Sequence, residues 1–290
     1  MKASLSNAAF GLFKKYIHDK CGINIGEEKA YLIETRLSKL LVDAQVSSFE
    51  ALYHKIVKED DASMAVKVID AITTNETLWF RDKTPWLILE ELLLPKYIEK
   101  LRMGEKQRIR IWSAAASTGQ EAYSTAMCID RYLEKNAIKD ITLSHFQIIA
   151  TDISNTVLEI AKKGRYDAVS MIRGMAPEYK DRYFTKQGMA WKIDDKIKNA
   201  ITFKSFNLQN SFVFLGQFDV IFFRYVLIYF ANILREEIFN KLSTTIEKEG
   251  TLIIGASEIY HQLDLFFDMK HHTQGTYYMR RETNEGTYSR

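Results

Sequence analysis

Five short segments carry side chains that an ordinary turn or linker does not need. Thr73-Thr-Asn75-Glu-Thr77-Leu-Trp-Phe-Arg81 sets an amide, several hydroxyls and a guanidinium among large aromatics. Ile111-Trp-Ser-Ala-Ala-Ala-Ser-Thr-Gly119-Gln-Glu121 is a run of small residues ending in a carboxylate. Ala150-Thr-Asp152-Ile, Phe206-Asn207-Leu208 and Phe218-Asp-Val-Ile-Phe-Phe-Arg224-Tyr225 add an acid, an amide beside an apolar edge, and an arginine leaving an apolar run.

Small residues let a ligand approach the backbone closely. A single glycine, however, does not make a dinucleotide fingerprint, and a phosphate loop needs lysine where Gln120 stands. Glu121 repels phosphate and accepts hydrogen bonds from an amine or from ribose hydroxyls. Asp152, acceptor-only and two-oxygened, suits both hydroxyls of a ribose. Capping of a helix from Asn155, by Asp152 or by Ser154, fits the same residues. Asn207-Leu208 can read and pack an adenine, or form an ordinary turn. Arg224 should reach the mouth of its strand, or snorkel from a core edge. Taken together the pattern suits a nucleoside without phosphates, and S-adenosylmethionine has that shape.

The elements that must hold these residues are legible from periodicity. From residue 108, apolar runs at Arg108–Ala114, Phe146–Ile153, Ile201–Leu208, Phe218–Tyr225 and Thr251–Ala256 alternate with helices at Glu121–Leu133, Asn155–Lys163 and Ala231–Lys248. Such alternation predicts a largely parallel sheet covered on both faces. Ligands of such sheets lie beyond the carboxyl ends of the strands, where four of the five segments fall. Residues 165–200 break the pattern with a hairpin, Tyr183–Lys186 and Met189–Ile193 around Gln187-Gly188, and are expected to form a small antiparallel insertion.

Residues 1–72 contain helical patterns only, with Phe10, Phe13 and Ile17 on one face and Ile33, Leu37, Leu40 and Leu41 on another. Ser47-x-x-Glu50 predicts a capping box for a third helix, and Asp61 a cap for a fourth. The expected division is therefore a helical domain over 1–72 and an α/β domain over 73–290, with Glu282–Arg290 a frayed tail.

Composition sets outer bounds. Across 290 residues, 40 basic and 37 acidic side chains leave a charge of +3, too small to imply a nucleic-acid partner. Cys21 and Cys128 lie in apolar segments without metal-like neighbours, so buried reduced thiols and no metal are expected. The N-terminus meets Lys14 and Lys15 before a signal-length apolar run develops, and the stretch Val220–Leu234 is too short and too charged to cross a bilayer, which points to a cytoplasmic protein without membrane insertion.

In order and spacing, Thr74–Arg81, Ile111–Ser124, Ala150–Ile153, Phe206–Leu208 and Phe218–Phe230 resemble the motif series of the CheR-type chemotaxis receptor methyltransferases. The helical N-terminal region and the inserted hairpin correspond as well, so the resemblance covers nearly the whole chain. It implies a Rossmann-like S-adenosylmethionine-dependent methyltransferase sheet with a small antiparallel β insertion, preceded by an all-α N-terminal domain. It also implies methyl transfer from S-adenosylmethionine to glutamates on the cytoplasmic helices of methyl-accepting chemoreceptors, giving methyl esters and S-adenosylhomocysteine.

By the same resemblance Asn75, Thr77, Arg81, Glu121, Asp152, Asn207, Leu208, Arg224 and Tyr225 contact the cofactor, and Arg81 and Tyr229 flank the reacting centre. Receptor recognition would fall to the helical domain, with Arg36 and Lys39 as the cations for an acidic helix, and to the β insertion. Trp79, Phe80 and Phe230 are expected as cleft walls. The chain departs from the family's usual residues at Gln120 (Glu), Ala122 (Pro), Tyr225 (Asn) and Ala256 (His). Tyr225 is the largest of these, and with Ala256 it motivates an alternative, a cofactor-binding signalling module with weak or no catalysis. A glutamate acceptor is already ionised at neutral pH, so the reaction needs no general base, in keeping with motifs that contain no histidine.

Overall fold

The computed structural model describes residues 4–273 and 275–281. The expected frayed tail, Glu282–Arg290, lies outside them. Helices α1 (Asn7–Cys21), α2 (Ala30–Asp43), α3 (Phe49–Lys58) and α4 (Ala62–Ile72) form the N-terminal part. Side-chain caps at Ser6, Ser48 and Asp61 start α1, α3 and α4. The cap of α3 is thus Ser48, one residue after the expected Ser47, because the Ser48 hydroxyl is the one that reaches the Ala51 amide, at 3.2 Å. Phe13, Ile17, Ile33, Leu37, Leu52 and Val68 are fully buried in one apolar cluster, as their spacing predicts.

Arg36 is part-exposed and spends several of its donors within the chain. Its guanidinium donates to the Ile72 and Thr73 carbonyls at the end of α4 and to the Thr74 hydroxyl, the last at 3.0 Å. Those carbonyls are helix-end acceptors that need donors, so Arg36 clamps α2 to the segment leading into the first motif. Lys39 is exposed and has no ion pair among the described residues. Arg36→Ala should cost about 1–2 kcal/mol, the range for charge-assisted hydrogen bonds at a half-exposed site. Thermal melting of the whole chain is the check, and an unchanged Tm would remove the clamp from the account.

A long helix not anticipated from the sequence connects the two parts: α5 (Thr84–Ile88), a π turn (Leu89–Leu93) and α6 (Leu94–Arg102) run on without a break. Pro95 lacks the N–H that Glu91 would otherwise receive, and the π turn immediately before it absorbs the mismatch.

The remaining chain alternates as expected. The elements are β1 (Ile109–Ala114), α7 (Gln120–Lys135), β2 (Phe146–Asp152), α8 (Asn155–Lys163), β6 (Ile201–Ser205), β7 (Phe218–Phe222), α12 (Asn232–Thr245) and β8 (Ile246–Ile253). Between α8 and β6 lies the insertion: β3 (Arg165–Asp167), α9 (Ala168–Ile172), α10 (Pro177–Tyr183), β4 (Phe184–Gln187), β5 (Ala190–Ile193) and α11 (Asp195–Asn199). Strands β9 (Phe267–His272) and β10 (Gly275–Arg280) close the chain.

The main sheet runs β6-β2-β1-β7-β8-β10-β9, its first five strands parallel and the final hairpin antiparallel. The insertion is a separate antiparallel sheet, β3-β5-β4, one strand larger than the expected hairpin. On β1, Ile111 and Trp112 point into two different apolar clusters, so both sheet faces are covered. Strand order reverses beside β1, and the carboxyl ends of β1, β2 and β7 open there onto a cleft. Among the described residues no helix is long and apolar enough to cross a membrane.

Candidate functional site

The turns that leave these strands are conformationally costly. Ala115, Ser117 and Tyr225 have φ of 53, 52 and 57°, and Phe80 and Asp82, on either side of Arg81, have 46 and 58°. Five of the nine non-glycine residues with positive φ among those described therefore surround one site. Each costs of order 1–2 kcal/mol and persists only where its surroundings fix it.

The fixing bonds are specific. Ser117 donates its amide to Asp152 Oδ2 at 2.8 Å and its hydroxyl to the Asn75 carbonyl at 2.8 Å. The first three motifs are thus bonded to one another. Gly119, at φ 93°, precedes α7, and a Cβ there would lie 3.0 Å from that of Ala161.

All ten residues expected at the site border this single cleft. They do so through different means. Asp152 is buried and also accepts the Ser154 amide on Oδ1 at 2.9 Å, leaving each oxygen one further lone pair. The helix cap of α8 is Ser154, which frees Asp152 from that duty. Burial raises the Asp152 carboxyl above its ordinary value, and the amides of Ser154, Ser117 and Ile153 only partly offset it.

Arg224 neither snorkels nor reaches solvent. Its Nη1 meets Glu121 Oε2 at 2.6 Å and its Nη2 meets Asp82 Oδ2 at 2.8 Å and the Arg81 carbonyl. Burial opposes its charge, but Glu121 and Asp82 outweigh that and raise its pKa. Glu121 also accepts the Ser113 hydroxyl at 2.8 Å. Asp82 Oδ2 takes the Tyr225 hydroxyl at 2.6 Å and the Ala256 amide at 3.3 Å as well. Burial alone would raise the Asp82 carboxyl; the bonds from Tyr225 and Arg224 prevail and lower it.

Arg81 is held differently. The Tyr225 ring centroid lies 3.6 Å from its Cζ, and its sole hydrogen bond among the described residues is a weak one of 3.5 Å to the Glu76 carbonyl. The hydroxyls of Thr77 and Tyr229 border the cleft without a hydrogen bond among the described residues. The Asn75 amide donates to Thr73 Oγ1 at 3.2 Å. Asn207 also makes bonds within the chain: Nδ2 donates to the Lys20 carbonyl at 2.7 Å, which docks the N-terminal helices on the sheet, and Oδ1 accepts from Gln209 N. Leu208 supplies the apolar edge next to it.

Two expected walls lie elsewhere. Trp79 is fully buried against Tyr166 and Phe184, and its Nε1 donates to the Ser170 carbonyl at 3.0 Å, so it anchors the insertion. Phe80 packs on Trp86 and Tyr179. Leu78 and Phe230 line the cleft, joined by Cys21 and Ile23 from the N-terminal part, which no local pattern signals. Cys21 and Cys128 are both buried free thiols, and burial pushes Cys21 up to about 11.

Asp82 and Glu258 were also missed. Glu258 Oε2 accepts the amides of Tyr225 at 2.6 Å and Gly255 at 2.8 Å, and so holds the strained turn after β7. Their signals were adjacency to Arg81 and placement in Gly255-Ala-Ser-Glu258, both too short to read without the fold. No cluster of metal-ligating side chains occurs among the described residues.

The chemistry of the cleft fits a sulfonium nucleoside. Among the described residues Arg81 and Arg224 are the basic side chains bordering it and Glu76, Glu121 and Asp152 the acidic ones; Arg224 pairs with Glu121 and with Asp82, and Glu76 with Arg173, which leaves Arg81 and Asp152 without an ion pair. Arg224 keeps one buried donor, Nε, without a protein partner. Phosphate would be repelled; hydroxyls, an amine and a sulfonium would be attracted.

Comparison with known proteins gives the same direction. Residues 8–73 match the family model for the CheR methyltransferase all-alpha domain, and residues 75–276 that for the CheR methyltransferase SAM binding domain. The chain is 37% identical to the chemotaxis protein methyltransferase Cher2 of Pseudomonas putida over 279 residues, covering 96% of this chain and 100% of that one. It is 39% identical to chemotaxis protein methyltransferase 1 of Pseudomonas aeruginosa, covering 95% and 98%. With the chemotaxis protein methyltransferase of Vibrio anguillarum the identity is 37%, over the same shares.

Proposed function

The chain belongs to the CheR methyltransferase family, whose cofactor is S-adenosylmethionine, and on that premise we propose that it esterifies glutamate side chains on the cytoplasmic helices of chemoreceptors. The observation that carries the acceptor class is Arg81. It is a guanidinium at the cleft, fixed by a ring face and nearly free of hydrogen bonds, so that its donors are left for an incoming carboxylate.

When bound, S-adenosylmethionine supplies an activated methyl group. The residues do the rest. Asp152 holds the ribose hydroxyls on its remaining lone pairs, and Leu208 packs the base. Glu121, fixed by Arg224 and Ser113, faces the amino-acid arm together with Asn75 and Thr77. Arg81 orients the acceptor carboxylate, and Tyr229 offers a free hydroxyl beside it. Positioning of this kind can be worth roughly 7–11 kcal/mol. No base is needed, since the acceptor is ionised before it arrives.

Receptor docking would use the exposed face of α2 around Lys39 and the open edges of the insertion, where β3 and β4 each have one strand neighbour. An edge of this kind can accept an added strand from a partner. The insertion is tied to the first motif by the Arg173–Glu76 ion pair and by the Trp79 amide, 3.1 Å from the Arg173 carbonyl. Tyr225 borders the cleft with its ring against Arg81, and the alternative motivated by Tyr225 and Ala256, a cofactor-binding module with weak or no catalysis, is separated from this reading by the assay that follows.

Incubation with labelled S-adenosylmethionine and a receptor cytoplasmic fragment, followed by mass mapping, tests the proposal. Base-labile esters on glutamates are expected; label on any other residue type would refute the acceptor assignment. Asp152 also predicts a pH dependence. Its pKa is raised, so on acidification it takes up a proton at a less acid pH than an ordinary aspartate does, and loses acceptor capacity there. Affinity for S-adenosylhomocysteine should therefore begin to fall above the usual carboxylate range, and Asp152→Asn should be weaker at neutral pH and flat across that window. Identical titrations for both proteins would contradict the role.

A further inference from the structure

The turn after β7 brings an aromatic ring under Arg81 and clamps it there from several directions. The Tyr225 hydroxyl donates to Asp82 Oδ2 at 2.6 Å, and its amide donates to Glu258 Oε2 at 2.6 Å. Its backbone is left-handed, at φ 57°. Room for the ring comes from Gly255, where a Cβ would approach Tyr225 Cε1 to 2.7 Å. Asp82, which anchors the hydroxyl, is the residue after Arg81 and is itself held by Arg224 and by the Ala256 amide.

We infer that Tyr225 is a positioning residue for Arg81: its ring face, 3.6 Å from the guanidinium carbon, fixes the plane of the guanidinium without consuming its N–H donors. Two other ways of fixing an arginine are a carboxylate partner and a set of carbonyls. A carboxylate would neutralise the charge that an acceptor carboxylate needs, and carbonyls would occupy its donors; a ring face does neither. Arg81 has no carboxylate within ion-pair distance among the described residues, and one weak carbonyl contact. This rests on the esterification reading above, in which Arg81 meets the acceptor. The Asp82 bond then has a purpose of its own, which is to lock the ring rather than to touch a ligand.

The test compares Tyr225→Phe, which keeps the face, with Tyr225→Leu and Tyr225→Asn, which remove it. Three readouts are taken: kcat on a receptor fragment, calorimetric affinity for S-adenosylhomocysteine, and the Arg81 Nε–Hε NMR resonance. Wild type and Tyr225→Phe should show that resonance displaced by the ring current, and the non-aromatic variants should not. Loss of the face should lower kcat about ten-fold, with product affinity held within about two-fold.

Non-aromatic variants that keep wild-type kcat, or an Arg81 resonance indifferent to them, would overturn the inference while leaving esterification intact. Product affinity falling in parallel with kcat would also overturn it, by making Tyr225 part of the cofactor site. A wild-type chain whose resonance responds to Tyr225→Leu but which esterifies no receptor glutamate would overturn the functional reading, and with it the purpose assigned to the stack. If one non-aromatic variant fails to fold, the other carries the comparison.

Discussion

Arg81→Ala is expected to lower methyl transfer to receptor glutamates by roughly 10²- to 10³-fold, a fraction of what in-line positioning of the acceptor carboxylate can be worth. The fold should survive, because Arg81 makes one weak hydrogen bond and one ring contact and its side chain is not enclosed. Product affinity should fall less than the rate, since Asp152 and Glu121 keep their bonds. The loss should therefore appear in kcat on the receptor. Single-turnover transfer of labelled methyl measures it directly, and a rate within a few-fold of wild type would remove Arg81 from the reaction. Arg81→Lys should recover little, because an ammonium cannot offer two parallel donors to a carboxylate.

Arg224→Met is the second large effect, and it falls on stability. The arginine is buried between Glu121 and Asp82, and its removal leaves two enclosed carboxylates without their cation. Breaking a buried pair by deleting one partner typically costs about 3–5 kcal/mol, a large fraction of the stability of an ordinary domain. The loss should shrink when Asp82 and Glu121 are also replaced by amides, since the burden is the unpaired charge rather than the missing side chain. Urea denaturation of the single and triple variants distinguishes these. An Arg224→Met protein with the wild-type midpoint would show that the network is not what holds the turns together.

The parts of this structure legible in the sequence are those decided by local signals. Helix α8 was read at both of its ends because Ser154 caps it and Gly164 ends it in the left-handed region. The central parallel strands are legible because strands buried on both faces are mostly apolar, as Phe218–Phe222 is apart from Asp219. Strand β9 escaped because Phe267 is its one fully buried residue, and β10 because its burial does not alternate. Helix α5–α6 escaped because Pro85 and Pro95 punctuate it.

At the site, side chains of chemical interest announced themselves, but their partners did not. Arg36 looked like a free cation until the end of α4 came to lie against it. Asn207 offers an amide at the cleft, and nothing in its local sequence shows that its Nδ2 also donates to the Lys20 carbonyl. Asp82 and Glu258 act on residues far away in sequence, Arg224, Tyr225 and Ala256, so only the folded chain shows what they do. A motif shows which groups are available; burial and long-range pairing decide which of them stay free for a ligand.

The account depends on one cleft that binds a sulfonium nucleoside through Asp152 beside an available Arg81. Calorimetric titration with S-adenosylhomocysteine, run on the wild type, on Asp152→Ala and on Arg81→Ala, tests this most directly. Expected are one-to-one binding by the wild type, a loss of at least about ten-fold in Asp152→Ala, and a smaller loss in Arg81→Ala. Absence of binding by the wild type, or equal affinity in Asp152→Ala, would contradict it.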